Sequence, residues 1–249
     1  MRQAARAACA WVCLSAAACA SSGGPAPFRP VAGEEDSLRA RVAAVAAEGD
    51  ARQRLRAVGK LRVTSPDGSA TVREVVLAER PARLRLESLN MLGQAATLLV
   101  TDGERFAFFD GKRLEDGDAQ PELLHKRLGL ALAPGEAVRA LLVAPLESDW
   151  LPTAILGRGG EREVRLPAES LRFAAGGELA AIAALDDDGE VRWLAEYAEW
   201  RDVPGGRYPF SLVLSFPETK LRAELELTDV ELNPTLDPSL FRVARRATP

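Results

Sequence analysis

The chain has 249 residues, 47% of them hydrophobic and 27% charged, with a formal net charge of −4. Such a mixture is enough to build a packed core, and its acidic balance argues against nucleic acid, whose binding depends on clustered Lys and Arg that neutralise phosphates. All three cysteines, Cys9, Cys13 and Cys19, fall in the first nineteen residues, so the chain beyond Cys19 can form no internal disulfide.

Met1 to Ala18 runs from a basic head with Arg2 and Arg6 through an apolar stretch to small residues, the pattern of a secretory signal. Its apolar part is shorter than the roughly 20 residues that span a bilayer as a helix, and no later segment approaches that length. Leu14-Ser15-Ala16-Ala17-Ala18-Cys19 resembles the lipobox of bacterial lipoproteins, with Ala16 where Leu is usual and Leu14 displaced outward. That resemblance implies cleavage before Cys19 and a diacylglycerol on its sulfur; an ordinary signal cut nearby, giving a free periplasmic protein, is the alternative. Removing residues 1–18 leaves 231 residues, and the loss of Arg2 and Arg6 takes the net charge from −4 to −6. Residues 19–33, rich in Ser, Gly, Pro and Ala, read as a flexible tether. Residues 34–246 read as one domain.

Behind the acidic start Glu34-Glu35-Asp36, the side chains Leu38, Val42 and Val45 recur at helical spacing, which predicts a helix over about residues 36–47. The period then becomes twofold. Leu221, Ala223, Leu225 and Leu227 alternate with charged residues, as do Leu61 with Val63, Leu84 with Leu86, and the run Phe210, Leu212, Leu214 and Phe216 with its neighbours. Turn pairs separate these runs: Asp67-Gly68, Asp102-Gly103, Asp110-Gly111, Gly176-Gly177, Asp188-Gly189 and Gly205-Gly206. They supply the positive φ of tight hairpins, so the strands form an antiparallel meander of roughly ten. A sheet with one apolar face must curl into a barrel or carry a helix on that face. Residues 121–144 break the rhythm with two short amphipathic helices, one striped by Leu123, Leu124, Leu128 and Leu132, the other by Ala137, Val138, Leu141 and Leu142.

The chemical inventory points away from an enzyme. There is one histidine, His125, in a helical stretch, and no Gly-x-Ser-x-Gly turn for it to serve. Histidine and cysteine metal clusters are excluded by count, and Asp186-Asp187-Asp188-Gly189 lacks the further oxygen ligands of a calcium loop. No phosphate-binding glycine motif occurs, so no cofactor is expected. What remains is an apolar concavity beneath a helical cover, either hollow and able to hold an acyl chain or filled by its own side chains.

The stretch from Arg83 to Gln94, Arg-Leu-Arg-Leu-Glu-Ser-Leu-Asn-Met-Leu-Gly-Gln, followed by alternating Leu98 and Val100, resembles the outer-membrane lipoprotein receptor family LolB, with Met91 where that family has proline. Glu79-Arg80-Pro81 and Val100-Thr101-Asp102-Gly103-Glu104 resemble its soluble partner family LolA, and the likeness runs with gaps from Leu38 to the Asp237-Pro238-Ser239-Leu240-Phe241 tail. The resemblance implies a mainly β fold with α (α+β), an incomplete antiparallel β-barrel with an N-terminal helix and a helical lid. It also implies a function, lipoprotein localisation, in which the cavity takes acyl chains of client lipoproteins from a LolA-like periplasmic carrier. The lipid anchor on Cys19 would hold a monomer on the outer membrane, facing the periplasm, since Ala20 follows Cys19 where Asp would suggest inner-membrane retention. The cavity candidates are Leu61, Val63, Leu84, Leu86, Leu98, Val100, Leu128, Leu141, Leu212, Leu214 and Leu225. Met91 and Leu92 are the implied membrane-insertion turn, with Leu92 turned into the barrel as the alternative, and Arg80 is the implied lid contact, with a solvated strand end as its alternative. A structural or partner-binding envelope lipoprotein with a filled β core is the competing reading.

Overall fold

The computed structural model describes residues 26–89, 95–146 and 150–243. Within them fourteen strands form one antiparallel sheet. After the edge pair β1 (Arg29–Pro30) and helix α1 (Glu35–Ala51), the chain enters the middle of the sheet. It then meanders to one edge through β2 (Arg54–Ser65), β3 (Gly68–Glu79), β4 (Arg83–Leu89), β5 (Ala95–Thr101), β6 (Arg105–Phe109) and β7 (Leu114–Asp118). Helices α2 (Leu123–Leu128) and α3 (Pro134–Leu141) carry it back. A second meander runs from β1 to the middle through β8 (Ala154–Arg158), β9 (Glu161–Arg165), β10 (Glu169–Phe173), β11 (Leu179–Leu185), β12 (Val191–Val203), β13 (Gly206–Phe216) and β14 (Leu221–Leu232). There β14 pairs with β2, and the sheet ends on β1 and β7, so the barrel is incomplete, as expected.

The twofold alternation does what it predicts. Leu221, Ala223, Leu225 and Leu227 are buried while Arg222 and Glu226 are exposed. A bulge between Leu227 and Asp229 then shifts the register, so that Val230 and Leu232 continue the buried face. The bulge brings the two backbones together at Gly59, where a Cβ would stand 2.4 Å from the Glu226 carbonyl oxygen, and only glycine fits. All six predicted turn pairs lie at hairpin turns, with their left-handed glycines at φ between 81° and 141°. The count exceeds the expected ten because β6 to β10 are only five residues each and several are heavily charged, as in Glu161-Arg162-Glu163-Val164-Arg165, so they show little alternation.

Helix α1 starts close to its predicted point and runs on to Ala51, with Leu38 and Val42 buried. Its N-terminal end is tied to β9 by Arg162, which donates to both Glu34 carboxylate oxygens at 2.6 and 2.8 Å. The expected tether through residue 33 ends sooner than its composition suggests. Arg29 and Pro30 pair with Gly157 and Leu156, the Val31 N–H donates to the Ile155 carbonyl at 3.1 Å, and the Arg158 guanidinium lies 4.4 Å from the Phe28 ring centre. Two residues at a sheet edge leave no periodic signal, and Pro30 is tolerated there because an edge strand need not donate.

One large core joins α1, the inner face of the sheet, α2 and α3. A small second cluster lies on the outer face, where Leu77 and Val100 are covered by Phe241 of the 3₁₀ helix Pro238–Phe241. No helix of the described residues is long and apolar enough to cross a membrane.

Candidate functional site: an apolar cavity under a pinned helix

Between the inner face of the sheet and helices α2 and α3 lies a cavity with about 210 Å³ of room for the centre of a water-sized sphere. One water needs roughly 10–15 Å³ on that measure, so the interior is hollow rather than filled. Its walls come from β2 to β6, from β12 to β14 and from both helices, and they are aliphatic or aromatic apart from Glu74, Ser88 and Thr97.

Leu61, Val63, Leu84, Leu86, Leu128, Leu141, Leu212, Leu214 and Leu225 line this cavity. Leu98 and Val100 do not, which corrects their assignment. In β5 it is Thr97 and Leu99 that face inward, because Leu99 stands opposite Leu86 and Thr97 opposite Ser88, and directly paired residues share a face. Val100 stands opposite Arg85 and packs with Leu77 under Phe241. The run Leu98-Leu99-Val100 is apolar on both faces, so alternation alone could not choose between them. Cys19, Met91 and Leu92 lie outside the described residues.

Arg80 also needs correction as a lid contact. Its guanidinium donates to the carbonyls of Gly49 at 2.9 Å and Arg52 at 3.3 Å and pairs with Asp50 at 3.5 Å, all at the C-terminal end of α1. Burial, reinforced by the nearby Arg139, lowers its pKa from the usual arginine value. It therefore serves the terminal carbonyls of a helix, but of α1 and not of the cover.

The helix terminus of the cover is held by residues that the sequence did not mark. The last carbonyls of α3 and the turn after it, from Ala140 to Val143, face donors from β12, β13 and the α1–β2 connection. Tyr197 of β12 donates to the Ala140 carbonyl at 3.0 Å, and Tyr208 of β13 donates to that of Leu141. Buried Arg52 reaches the carbonyls of Leu142 and Val143 at 3.4 Å each and that of Arg207 at 3.2 Å. Burial raises the pKa of both tyrosines, so each stays a neutral donor. At the other end of α3, Glu136 accepts from the Ala133 N–H at 2.8 Å and the Trp193 indole N–H at 3.3 Å, and it pairs with Arg192. Helix α2 is held differently. It closes on left-handed Gly129 and joins β7 through Arg127 and Glu115 at 2.6 Å, while His125 sits exposed on its outer side.

Glu74 is the cavity's other unforeseen feature. It lies on β3, is only 3% exposed, and accepts from the Ser88 hydroxyl at 2.6 Å. Register sets Glu74 opposite Ser88 and Ser88 opposite Thr97, so the three polar side chains form one row across β3, β4 and β5. No cation pairs with Glu74 among the described residues. Burial pushes its carboxyl up to about 7, the Ser88 hydrogen bond opposes that rise, and the Glu87 charge adds to it. The signal was present in Val72-Arg73-Glu74-Val75-Val76, where period two puts Glu74 on the face of Val72 and Val76. Among the described residues there is no cluster of three or more His, Cys, Asp or Glu side chains placed to hold a metal ion.

No protein-family model matches the sequence, and no curated protein matches it. Solved structures do. A LolA superfamily protein from Nitrosomonas europaea superposes with a TM-score of 0.53 at 12% identity, over 80% of this chain and 96% of its own. A domain assigned as an outer membrane lipoprotein-sorting protein from Vibrio parahaemolyticus gives 0.51 at 11% identity, over 82% and 97%. A DUF1329 family protein from Desulfovibrio piger gives 0.54 at 8% identity, over 83% and 96%. At these identities the likeness is one of architecture, and in architecture this chain is similar to LolA superfamily and lipoprotein-sorting proteins.

Proposed function

We propose that this protein binds acyl chains of client lipoproteins in the cavity beneath α2 and α3 and passes them to the membrane that holds its own lipid on Cys19, the outer membrane. The observation that carries this reading is the hollow itself, since an apolar core of this size would otherwise close on its own side chains. Each methylene moved from water into such a space is worth about 0.8 kcal/mol, so one chain binds without a coupled energy source. Transfer then runs downhill, from a LolA-like carrier to this cavity and on to the bilayer. The lipoprotein-sorting likeness supports the assignment, and the apolar pair Met91-Leu92 in the sequence suits delivery into lipid.

The test has two parts. An apolar fluorescent probe should bind the protein saturably and be displaced by lipoprotein acyl chains; a linear, unsaturable signal would favour the filled-core envelope lipoprotein. In cells, Leu92→Glu should slow the arrival of client lipoproteins in the outer membrane and Cys19→Ser should release the protein from membranes. Normal client delivery in both variants would overturn the transfer role.

A further inference from the structure

The polar row Glu74, Ser88 and Thr97 is out of place in a site for hydrocarbon alone. A methyl-terminated chain gives nothing to a carboxyl, and a buried carboxyl left without a partner is costly. Ser88 satisfies one side of Glu74, while Glu74, Ser88 and Thr97 all face the cavity. The row lies one register step from the wholly apolar row of Val76, Leu86, Leu99 and Phe108, on the side toward the β4–β5 connection. A chain lying along the apolar rows would bring its polar end to this level.

Resting on the lipid-binding reading above, we infer that Glu74 and Ser88 form a headgroup subsite that selects acyl lipids whose polar end donates a hydrogen bond or carries positive charge, and rejects those ending in a carboxylate. An amide N–H, a hydroxyl or an ammonium meets the free acceptor capacity of Glu74 in a low-dielectric space, where such bonds are strong. A fatty-acid anion would bring a second negative charge against it, with no charged residue in the cavity lining to compensate. Amide-linked acyl chains therefore fit the site and free fatty acids do not. The charged group that acts on Glu74 from elsewhere is Glu87, which also opposes an added anion. The elevated pKa of Glu74 adds that this selection is strongest above neutral pH, where the carboxyl is ionised.

The experiment is competition against N-phenyl-1-naphthylamine bound to the full-length chain, using decylammonium, decanol and decanoate below their micelle concentrations at about pH 8.5. Decylammonium should displace the probe most tightly, decanol next and decanoate at least tenfold more weakly than decylammonium. Glu74→Gln should bring decylammonium and decanoate to within about threefold of each other, while Glu87→Gln, on the outer face, keeps their order. Equal displacement by decylammonium and decanoate in the unaltered protein overturns the subsite and leaves lipid binding standing. An unchanged order in Glu74→Gln overturns the assignment to this residue. Absence of saturable probe binding overturns the lipid-binding reading and the subsite with it.

Discussion

Replacing Glu74 with Gln separates the electrostatics of the cavity from its shape. The carboxyl titrates at about 7 in the fold against 4.5 for an unhindered glutamate. Between those values the folded chain keeps a proton that the unfolded chain has lost, so the native state is favoured by acid: the contribution is complete below pH 4.5, declines as pH rises and is gone above 7. At about 1.36 kcal/mol for each pH unit, the whole effect is about 3 kcal/mol. The amide keeps an oxygen to accept from Ser88 and cannot ionise. Urea unfolding of both proteins from about pH 4 to 8.5 should therefore show Glu74→Gln gaining about 3 kcal/mol on the unaltered chain across the range. In thermal melts this is roughly 6–12 °C for a domain of this size. The shared groups whose pKa values are lowered, such as Asp110 and Asp237 with their backbone hydrogen bonds, cancel in the difference. A difference that stays flat with pH would refute the buried, unpaired carboxylate.

Four further substitutions probe the frame. Arg52→Met leaves the Leu142 and Val143 carbonyls without their donor and should cost about 2–4 kcal/mol by urea unfolding. Tyr208→Phe removes a single donor to Leu141; it should cost about 1–2 kcal/mol and speed hydrogen exchange in α3 more than in α2. Ala223→Phe places a ring in the hollow and should weaken apolar probe binding at least tenfold while changing stability by less than about 1.5 kcal/mol; undiminished binding would locate the ligand elsewhere. Gly59→Ala forces a Cβ against the Glu226 carbonyl and should destabilise by about 2 kcal/mol or more.

The elements that the sequence announced are those whose two faces differ. In β14 every inward residue is aliphatic up to the bulge and its neighbours are charged, so strand, face and register can be read together. In β5 both faces are apolar, one turned to the cavity and the other to Phe241, and the distinction between Leu99 and Val100 lies in pairing partners that no local pattern contains. The pinning of α3 is of the same kind. Arg52 is far in sequence from Tyr197 and Tyr208, which sit on the neighbouring strands β12 and β13, and all three meet the end of α3 only in the finished fold, so each looks like an ordinary strand or loop residue until then. Glu74 was legible by parity, yet Val75 beside it is apolar too, which hid the exception.

The seam between β14 and β2 joins residues 222–232 to residues 55–64, almost the full span of the domain. Apart from the two-residue β1–β8 pair, the meander otherwise grows from neighbour to neighbour, but this join cannot form until β14 is present, and pairing across so large a loop is slow. Each sheet segment must therefore wait with a bare margin, the six strands of β2 to β7 on one side and the seven of β8 to β14 on the other. A chain cut short before residue 221 would keep both margins open, and such unpaired backbone is a template for aggregation. Synthesis through β14, rather than any local event, commits this protein to its native state.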